Sequence, residues 1–574
     1  MIIQSIIIKP TEIGGKSYGE MYFRGGNNSG GAIHIKENER FSLDTYFGSF
    51  AYTIYQKYTK IDKILVNLQL TGKAKISICT YDGKNESVIA QKIDSGCVCF
   101  EIFLGSLPEN AILYPVIEPL CDLLFLGGDY STSIELQKPS IAVAMCTYKR
   151  EGAVLKSIEV LKNSKHIDKA FIIDNGQTLD LAINDSKITV LPNKNLGGSG
   201  GFTRGLIEAQ NYSYIILMDD DVIFDSELFL RMSALLSSLK DEYKGAHISA
   251  SMLYSTTPCI QHEMGARFTG NIIKSFKQGL DITCKDTLVQ NLALENVEYG
   301  AWWCYALPNS DIFEHALPFP FFIKFDDVEY GTRCCSESAP IITLSGICVW
   351  HDDFDLKYSM HLDYYTIRNQ LITLAAHGKQ TRLGAILRLI KVTCKNLFLY
   401  RYDNMPIAIK AFEDFLKGAP FLLYTNEEEL NKEIMALAPK ATPLSQLDGW
   451  YDGAREDFCA RDTALGTKIL QLLTLGGHIL PSFMLKKKTA IFPLASTRLS
   501  YAFLNKKTIQ YQLGSDFGYA YNRSFKSFIR YSFKSAWLAL KLLFTYGKAK
   551  TSYKDSKALL TSVEFWKKHL ELEK

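Results

Sequence analysis

The segment Tyr214-Ile215-Ile216-Leu217-Met218-Asp219-Asp220-Asp221-Val222 decides the fold of this chain, because an apolar run ends there in three adjacent carboxylates. An uninterrupted apolar run with β-branched residues predicts a strand buried on both faces of a parallel sheet. Ligands of open α/β sheets bind beyond the carboxyl ends of the strands, where carboxylates can hold a divalent cation against phosphates. Because side chains alternate along an extended segment, Asp219 and Asp221 should point one way and Asp220 the other. A polar turn after a core strand is the alternative interpretation.

Length and composition restrict the class of protein. With 574 residues the chain is too long for one core, which predicts about two to four domains. Its net charge of +3 gives no indication of a nucleic-acid partner. The 13 cysteines include no C-x-x-C pair, a pattern typical of reduced thiols and not of a disulfide framework or a zinc ribbon. The N-terminus lacks the features of a signal peptide, and no apolar stretch is long enough to span a bilayer. We therefore expect a cytoplasmic protein.

Residues 1–138 alternate short β-branched or aromatic runs with clusters of glycine and asparagine. This pattern predicts an all-β sandwich or barrel. Sandwiches of this size bind carbohydrates or act as scaffolds and assembly modules, and the sequence leaves both alternatives open.

From Pro139 onward, predicted strands alternate with predicted helices. The strand runs begin at Ile141, Phe171 and Ile188, and helical spacing covers 151–164, so the pattern indicates repeated βαβ units. The glycine-rich segment 195–205 should lead into a helix at 206–210, where backbone amides can approach a phosphate; a flexible loop is the alternative. Its spacing supports neither a dehydrogenase nor a P-loop ATPase.

Two further polar clusters follow, at Asp326-Asp327 and around His351. A buried carboxylate beside another carboxylate is a candidate general base, and a histidine at a strand end can supply an imidazole ligand to a Mn-like metal. Each has a plainer interpretation, since the acids can cap the following helix and the histidine can be hydrogen-bonded in the core. Trp302 and Trp303 suit either sugar rings or a core.

In their order along 139–385, these segments resemble the family 2 inverting glycosyltransferases with the GT-A fold, and among them the bacterial galactofuranosyltransferases of the galactan-polymerising type. The segments that carry the resemblance are Thr147–Arg150, Asp174-Asn175, Asn195–Gly205, Asp219–Asp221, Trp302-Trp303, Phe322–Glu329 and Trp350–Asp352. The resemblance implies an α/β GT-A domain at 139–385 between a β-sandwich or barrel domain at 1–138 and a mostly helical domain at 386–574.

The resemblance also implies a role for each match. Asp219, Asp221 and His351 would hold Mn²⁺ or Mg²⁺ against the diphosphate of a UDP-sugar. Asp327 would be the catalytic base, and Asp326 would orient the acceptor. Trp302 and Trp303 would stack on the sugars. The residues implied for binding the nucleotide sugar are Thr147, Arg150, Asp174, Asn195, Gly198, Arg204 and Asp220.

The implied reaction moves a sugar, galactofuranose, from a UDP-sugar to a glycan or lipid-linked glycan acceptor in the synthesis of cell-surface polysaccharide, and a homo-oligomer is expected. The alternatives are a family 2 transferase for another nucleotide sugar, such as dTDP-rhamnose or a UDP-hexopyranose, a metal-dependent phosphohydrolase or nucleotidyltransferase, and a glycan-binding scaffold. The aromatic and basic segment 525–550 can lie on an anionic surface at the cytoplasmic face of the inner membrane, or pack as a helix on the catalytic domain.

Overall fold

The computed structural model of the chain describes residues 1–270, 272–460 and 463–572. The described chain divides into two compact units. The first contains Met1–Phe319, Asp327–Asp352 and Val563–Lys574, and the second contains Pro320–Asp326 and Asp353–Ser562. The sheets on either side of the expected domain boundary at residue 138 belong to the same unit. The division into three domains therefore stays a prediction.

An antiparallel sheet occupies the N-terminal part of the first unit. Its region contains β1 (Ile2–Ile6), β2 (Glu12–Ile13), β3 (Lys16–Ser17), β4 (Asn27–Ser29), β5 (Ala32–Ile35), β6 (Phe41–Ser42), α1 (Tyr52–Tyr58), β7 (Lys63–Tyr81), β8 (Glu86–Phe103), β9 (Ile112–Pro119) and β10 (Leu123–Ser131). The sheet order is β4-β5-β10-β7-β9-β6, with β1 paired to β10 and β8 to β7. In β7 alternate residues Ile64, Val66 and Leu68 are buried, as the period of a strand requires. The expected β-rich region is confirmed.

A mixed sheet flanked by helices forms the α/β part of the first unit. Its elements are β11 (Ile141–Thr147), α2 (Glu151–Asn163), β12 (Lys169–Asp174), β13 (Ile188–Pro192), α3 (Gly197–Ala209), β14 (Tyr214–Asp219), α4 (Glu227–Ser238), β15 (His247–Ser249), β16 (Ser251–Tyr254), β17 (Gln261–Glu263), β18 (Ala266–Thr269), β19 (Ile272–Ser275), α5 (Lys285–Gln290), β20 (Cys304–Pro308), α6 (Ser310–Glu314), α7 (Asp326–Cys334), β21 (Ile341–Ile342) and β22 (Cys348–His351). The strand order is β13-β12-β11-β14-β20-β15-β21. Strands β11 to β14 run parallel, and β20 is antiparallel to both of its neighbours.

The predicted central strand is β14, and its residues Ile215 to Met218 are fully buried. It pairs with β11 along one edge and with β20 along the other. Because consecutive side chains point to opposite faces of a strand, the burial of all four residues shows that both faces of β14 are covered, as its uninterrupted apolar run predicts. A separate small sheet has the order β17-β16-β22, and there β22 runs parallel to β16. The α/β fold class expected from the sequence is confirmed.

Helix α3 begins earlier than the sequence predicted. The expected helix covered 206–210 and followed a glycine loop, whereas α3 begins at Gly197 and includes those glycines. The reason is close packing on β11. A Cβ on Gly201 would overlap Cys146, and one on Gly205 would lie 2.5 Å from the Cβ of Ala144. Glycine therefore serves here to bring a helix close to a strand, a role that local propensity does not reveal.

The second unit is mainly helical. Its elements are α8 (Leu362–Ala376), α9 (Arg382–Phe398), α10 (Met405–Leu416), α11 (Ala419–Tyr424), α12 (Glu427–Leu437), β23 (Thr442–Pro443), α13 (Leu465–Leu473), β24 (Ala490–Pro493), β25 (Lys507–Tyr511), β26 (Phe517–Asn522), α14 (Phe525–Asp555) and α15 (Lys557–Leu560), while α16 (Val563–His569) returns to the first unit. The sheet β23-β26-β25-β24 was not anticipated from the sequence. Across the described ranges, no helix has both the length and the apolar character needed to cross a membrane.

Candidate functional site

The carboxyl end of β14 carries the first predicted site residues. The strand ends at Asp219, whose register partner on β11 is Cys146. Just beyond the acids, Ile223 and Trp350 exchange backbone hydrogen bonds of 2.8 Å in both directions. This pairing connects the segment after β14 to β22 and brings His351 to the acidic cluster.

Asp219, Asp221 and His351 form a group that can hold a metal ion. One ligand atom from each lies within 4.8 Å of the others, and the Nε2 atom of His351 is 3.3 Å from Oδ1 of Asp221. The Nδ1 atom of His351 is 2.6 Å from the carbonyl oxygen of Asp352. Because a carbonyl only accepts, Nδ1 carries the proton and Nε2 is the nitrogen that can bind a cation. Two carboxylates and an imidazole are suitable ligands for Mn²⁺.

The electrostatics of the cluster indicate the same chemistry. Burial raises the pKa of Asp219 to about 7, and the charge of Asp221 adds to the effect, while His351 acts in the opposite direction. Burial also raises the pKa of Asp220. Carboxylates crowded in this way repel one another, and a cation between them relieves that repulsion.

Arg150 and Thr147 contact the acids directly. The hydroxyl of Thr147 donates to Oδ2 of Asp220 at 2.7 Å. The guanidinium of Arg150 lies 3.3 Å from Oδ1 of Asp220 and also forms an ion pair with Asp221. Burial lowers the pKa of Arg150, but the charges of Asp221 and Asp220 outweigh it, so the net shift is upward. The structure thus brings both residues to the predicted site.

The other residues expected to bind the nucleotide make mostly local contacts. The carboxylate of Asp174 accepts backbone hydrogen bonds of 2.9, 2.7 and 2.8 Å from residues 176, 178 and 179, which hold the turn after β12. The side chain of Asn195 accepts from the backbone of Gly197 at 3.2 Å. Arg204 pairs with Glu208 at 2.7 Å along α3. Gly198 lies in the first turn of α3. Their roles at a nucleotide stay predictions.

Asp326 and Asp327 begin helix α7. Oδ1 of Asp327 accepts from the backbone N–H of Val328 at 2.8 Å. The negative charge of Asp327 is among the causes that raise the pKa of Asp219, so Asp327 stands within electrostatic reach of the metal-binding group. The assignment of Asp327 as the base stays a prediction.

Glu263 is a further buried acid that interacts with the charge of Asp327, and it was not predicted from the sequence. It is 4% exposed on β17, and the hydroxyl of Ser275 donates to its Oε2. Burial raises its pKa to about 7, the hydrogen bond from Ser275 acts in the opposite direction, and the charge of Asp327 adds to the rise. No motif marks this residue, because it stands on a three-residue strand without a recognisable pattern.

The two tryptophans are covered by protein. Trp302 and Trp303 are each 4% exposed. The ring of Trp302 packs edge-on against Phe202 and Tyr330, and the indole N–H of Trp303 donates to the carbonyl of Ala250 at 2.9 Å. Stacking on sugars stays a prediction, and it would need ring surface that these contacts cover.

Comparisons with known proteins bear on the same segments. A family model described as galactofuranosyltransferase 2 N-terminal matches residues 23–116, and one described as glycosyl transferase family 2 matches residues 142–250. The chain is 24% identical over 440 residues to the galactofuranosyltransferase GlfT2 of Mycobacterium tuberculosis, and 25% identical over 426 residues to that of Mycolicibacterium smegmatis. These alignments cover 70% and 67% of this chain and 68% and 65% of the relatives. The resemblance found in the motifs is confirmed.

Two solved structures show a weaker likeness. The mannosyltransferase PcManGT of Pyrobaculum calidifontis, in complex with GDP-Man and Mn²⁺, is 11% identical with a TM-score of 0.30, over 53% of this chain and 87% of that one. TarS 1–349 of S. aureus, in complex with UDP, is 13% identical with a TM-score of 0.29, over 57% of this chain and 95% of that one.

Proposed function

Because the chain is a family 2 glycosyltransferase that resembles galactofuranosyltransferases, we propose that it transfers galactofuranose from a UDP-sugar to a hydroxyl group of a glycan or lipid-linked glycan, with inversion at the anomeric carbon. The observation that carries the proposal is the convergence of Asp219, Asp221 and His351 on one point, with Asp327 in electrostatic reach. The relatives' names support the choice of sugar.

Asp219, Asp221 and His351 would hold Mn²⁺ or Mg²⁺. A cation bound there supplies positive charge that stabilises a leaving diphosphate. Arg150 adds a second positive group at the same place, since it already pairs with Asp220 and Asp221. The hydroxyl of Thr147 keeps Asp220 turned toward β11. These residues bind and orient the donor in the proposed reaction.

Asp327 accepts the proton of the attacking acceptor hydroxyl. A general base must reach that proton in the bound complex. Asp327 suits this task because it lies in the first turn of α7 and its charge acts on Asp219 in the metal-binding group. Asp326 orients the acceptor by hydrogen bonds. The bond between oxygen and the anomeric carbon forms as the bond to UDP breaks, so UDP leaves as the anion.

A lipid-linked acceptor lies at a membrane surface, and helix α14 has a face that suits such a surface. Phe533, Trp537 and Phe544 are 74%, 62% and 78% exposed, and their spacing puts them on one side of the helix. Lys534 and Lys541 are exposed next to them. The opposite side of α14 packs on α8, α9 and α10. An exposed aromatic face with lysines beside it is typical of helices that lie on anionic membranes.

The test is the release of nucleotide from a panel of UDP- and dTDP-sugars in the presence of Mn²⁺, with and without a galactofuranosyl disaccharide as acceptor. We expect release from UDP-galactofuranose that requires the acceptor and stops in EDTA. Fast release of nucleotide without any acceptor would indicate a hydrolase. Release from a different donor only would show that the transferred sugar is not galactofuranose. If no donor turns over, the transferase proposal fails. Asp241→Ala is the control: it removes an exposed acid that pairs with Lys60 and Lys244, and it should keep full activity.

A further inference from the structure

The backbone just before helix α7 has an unusual conformation. Phe322, Lys324 and Phe325 have φ values of 70°, 66° and 71°. Residues with a side chain rarely adopt this left-handed region, least of all bulky ones. Such conformations cost free energy and persist where the surrounding structure holds them. The next residue in the chain is Asp326, at which α7 begins.

Two buried side chains of α8 hold this segment, which we name the left-handed segment (321–325). Nδ2 of Asn369 is 2.9 Å from the carbonyl oxygen of Ile323, 2.8 Å from that of Lys324 and 3.3 Å from that of Phe321. Nη2 of Arg368 donates to the same Phe321 oxygen at 2.9 Å. Asn369 is 0% exposed and Arg368 is 2% exposed.

Further contacts fix the side chains of Arg368 and Asn369. Nε of Arg368 donates to Oδ1 of Asn369 at 2.8 Å, and this bond determines which way the amide turns, so that its N–H groups point at the carbonyls. The guanidinium lies over the rings of Tyr364, Tyr365 and Phe421, at 5.1, 5.3 and 5.8 Å from their centroids. A guanidinium buried in this way costs free energy unless its hydrogen bonds are made. Here they are directed at a strained segment and at the amide that holds it.

We propose that Arg368 and Asn369 are positioning residues for the acidic pair Asp326-Asp327. Their hydrogen bonds reach the backbone of the left-handed segment. That segment leads directly into Asp326 and Asp327 at the start of α7, so the two residues would act on the acids through the chain. The inference rests on the proposed function, in which Asp327 is the base. Its chemical reason is that a base displaced by about 1 Å loses roughly 100-fold in rate.

The test compares Asn369→Asp and Asn369→Ala with Asn404→Ala. Asn369→Asp keeps the size of the side chain and the oxygen that accepts from Arg368, but it lacks the N–H groups that contact the left-handed segment. This variant therefore tests the proposal even if Asn369→Ala fails to fold. Asn404 is a matched control because it is also 0% exposed and donates to two side chains of the second unit, Asp363 and Asn396. We expect kcat to fall by about 10- to 100-fold in the Asn369 variants, with unchanged affinity for UDP. Asn404→Ala should lose stability and keep its kcat.

A second substitution separates positioning from stability. Lys324→Gly relieves the strain at an exposed residue, because glycine adopts positive φ without cost. In the Asn369→Ala background it should restore part of the lost Tm and none of the lost kcat. Recovery of kcat together with Tm, or an equal fall of kcat in Asn404→Ala, would overturn the positioning role.

Hydrogen exchange distinguishes failure of this inference from failure of the proposed function. The amides of 321–327 should exchange at least 10-fold faster in Asn369→Asp than in Asn404→Ala, whatever the substrate is. Unchanged exchange there overturns the inference. Absence of turnover in the unaltered protein overturns the proposed function alone.

Discussion

At the residue scale, the two acids at the start of α7 are adjacent in sequence and have different predicted tasks. Asp327→Asn keeps size and shape but cannot take a proton. Turnover should fall by roughly 10²- to 10⁴-fold, as is typical of a lost general base, while binding of UDP-sugar and acceptor survives. Asp326→Asn should mainly weaken acceptor affinity. The measurement is kcat with both binding constants for the two variants. Near-native turnover of Asp327→Asn would end its assignment as the base.

The second prediction at this scale concerns the metal-binding group. Asp221 faces both His351 and Arg150, so Asp221→Ala should abolish transfer and the stabilisation of the protein by UDP with Mn²⁺. The fold should survive, because an acid at a strand end adds little to the core. Thermal unfolding with and without Mn²⁺ and UDP measures this effect as a shift in Tm. A shift as large as in the unaltered protein, or activity that persists in EDTA, would contradict the metal site.

At the scale of elements, the approach of α3 to β11 depends on glycine. Gly201→Ala places a methyl group against Cys146 and should cost about 1–3 kcal/mol of unfolding free energy by overpacking. Adding Cys146→Ala should recover part of that loss, because it removes the sulfur that the new methyl group meets. Urea denaturation of the single and double variants measures both effects.

Gly152→Ala on α2 is the matched control for that prediction. A Cβ there meets nothing within 4 Å, and a helix favours alanine over glycine, so stability should stay unchanged or rise slightly. A loss at Gly152 as large as at Gly201 would mean that close packing on β11 is not the reason for the glycines.

At the scale of the whole molecule, the exposed aromatic face of α14 predicts attachment to anionic membranes. Charge reversal at Lys534 and Lys541 should reduce sedimentation with phosphatidylserine vesicles, and added salt should weaken binding of the unaltered protein. Trp537→Ser with Phe544→Ser should reduce it further, since these side chains supply apolar area.

The control for the membrane prediction is Lys16→Glu with Lys36→Glu, which makes the same change in net charge at exposed residues of the β-rich region. Sedimentation of this control should match that of the unaltered protein. Equal losses in both charge variants would show that net charge, and not the face of α14, decides the binding. If the unaltered protein does not bind vesicles, α14 is instead a packed helix with a solvated basic face.

The sequence by itself determined the elements that depend on local pattern. The buried parallel strands could be predicted because their apolar runs are uninterrupted. The acids at the end of β14 could be predicted as site residues because ligands bind at the carboxyl ends of parallel strands. The order of motifs then indicated the family. The helical spacing at 151–164 also predicted α2, Glu151–Asn163, to within one residue at each end.

Only the tertiary structure decided what depends on distant pairing. It brought His351 to Asp221 through the pairing of Ile223 with Trp350, and it covered Trp302 and Trp303 by core packing. It also placed Glu263 on the short strand β17 and set Arg368 and Asn369 against the left-handed segment. These contacts join residues far apart in the chain, and periodicity over a few residues carries no information about which distant partner a side chain meets.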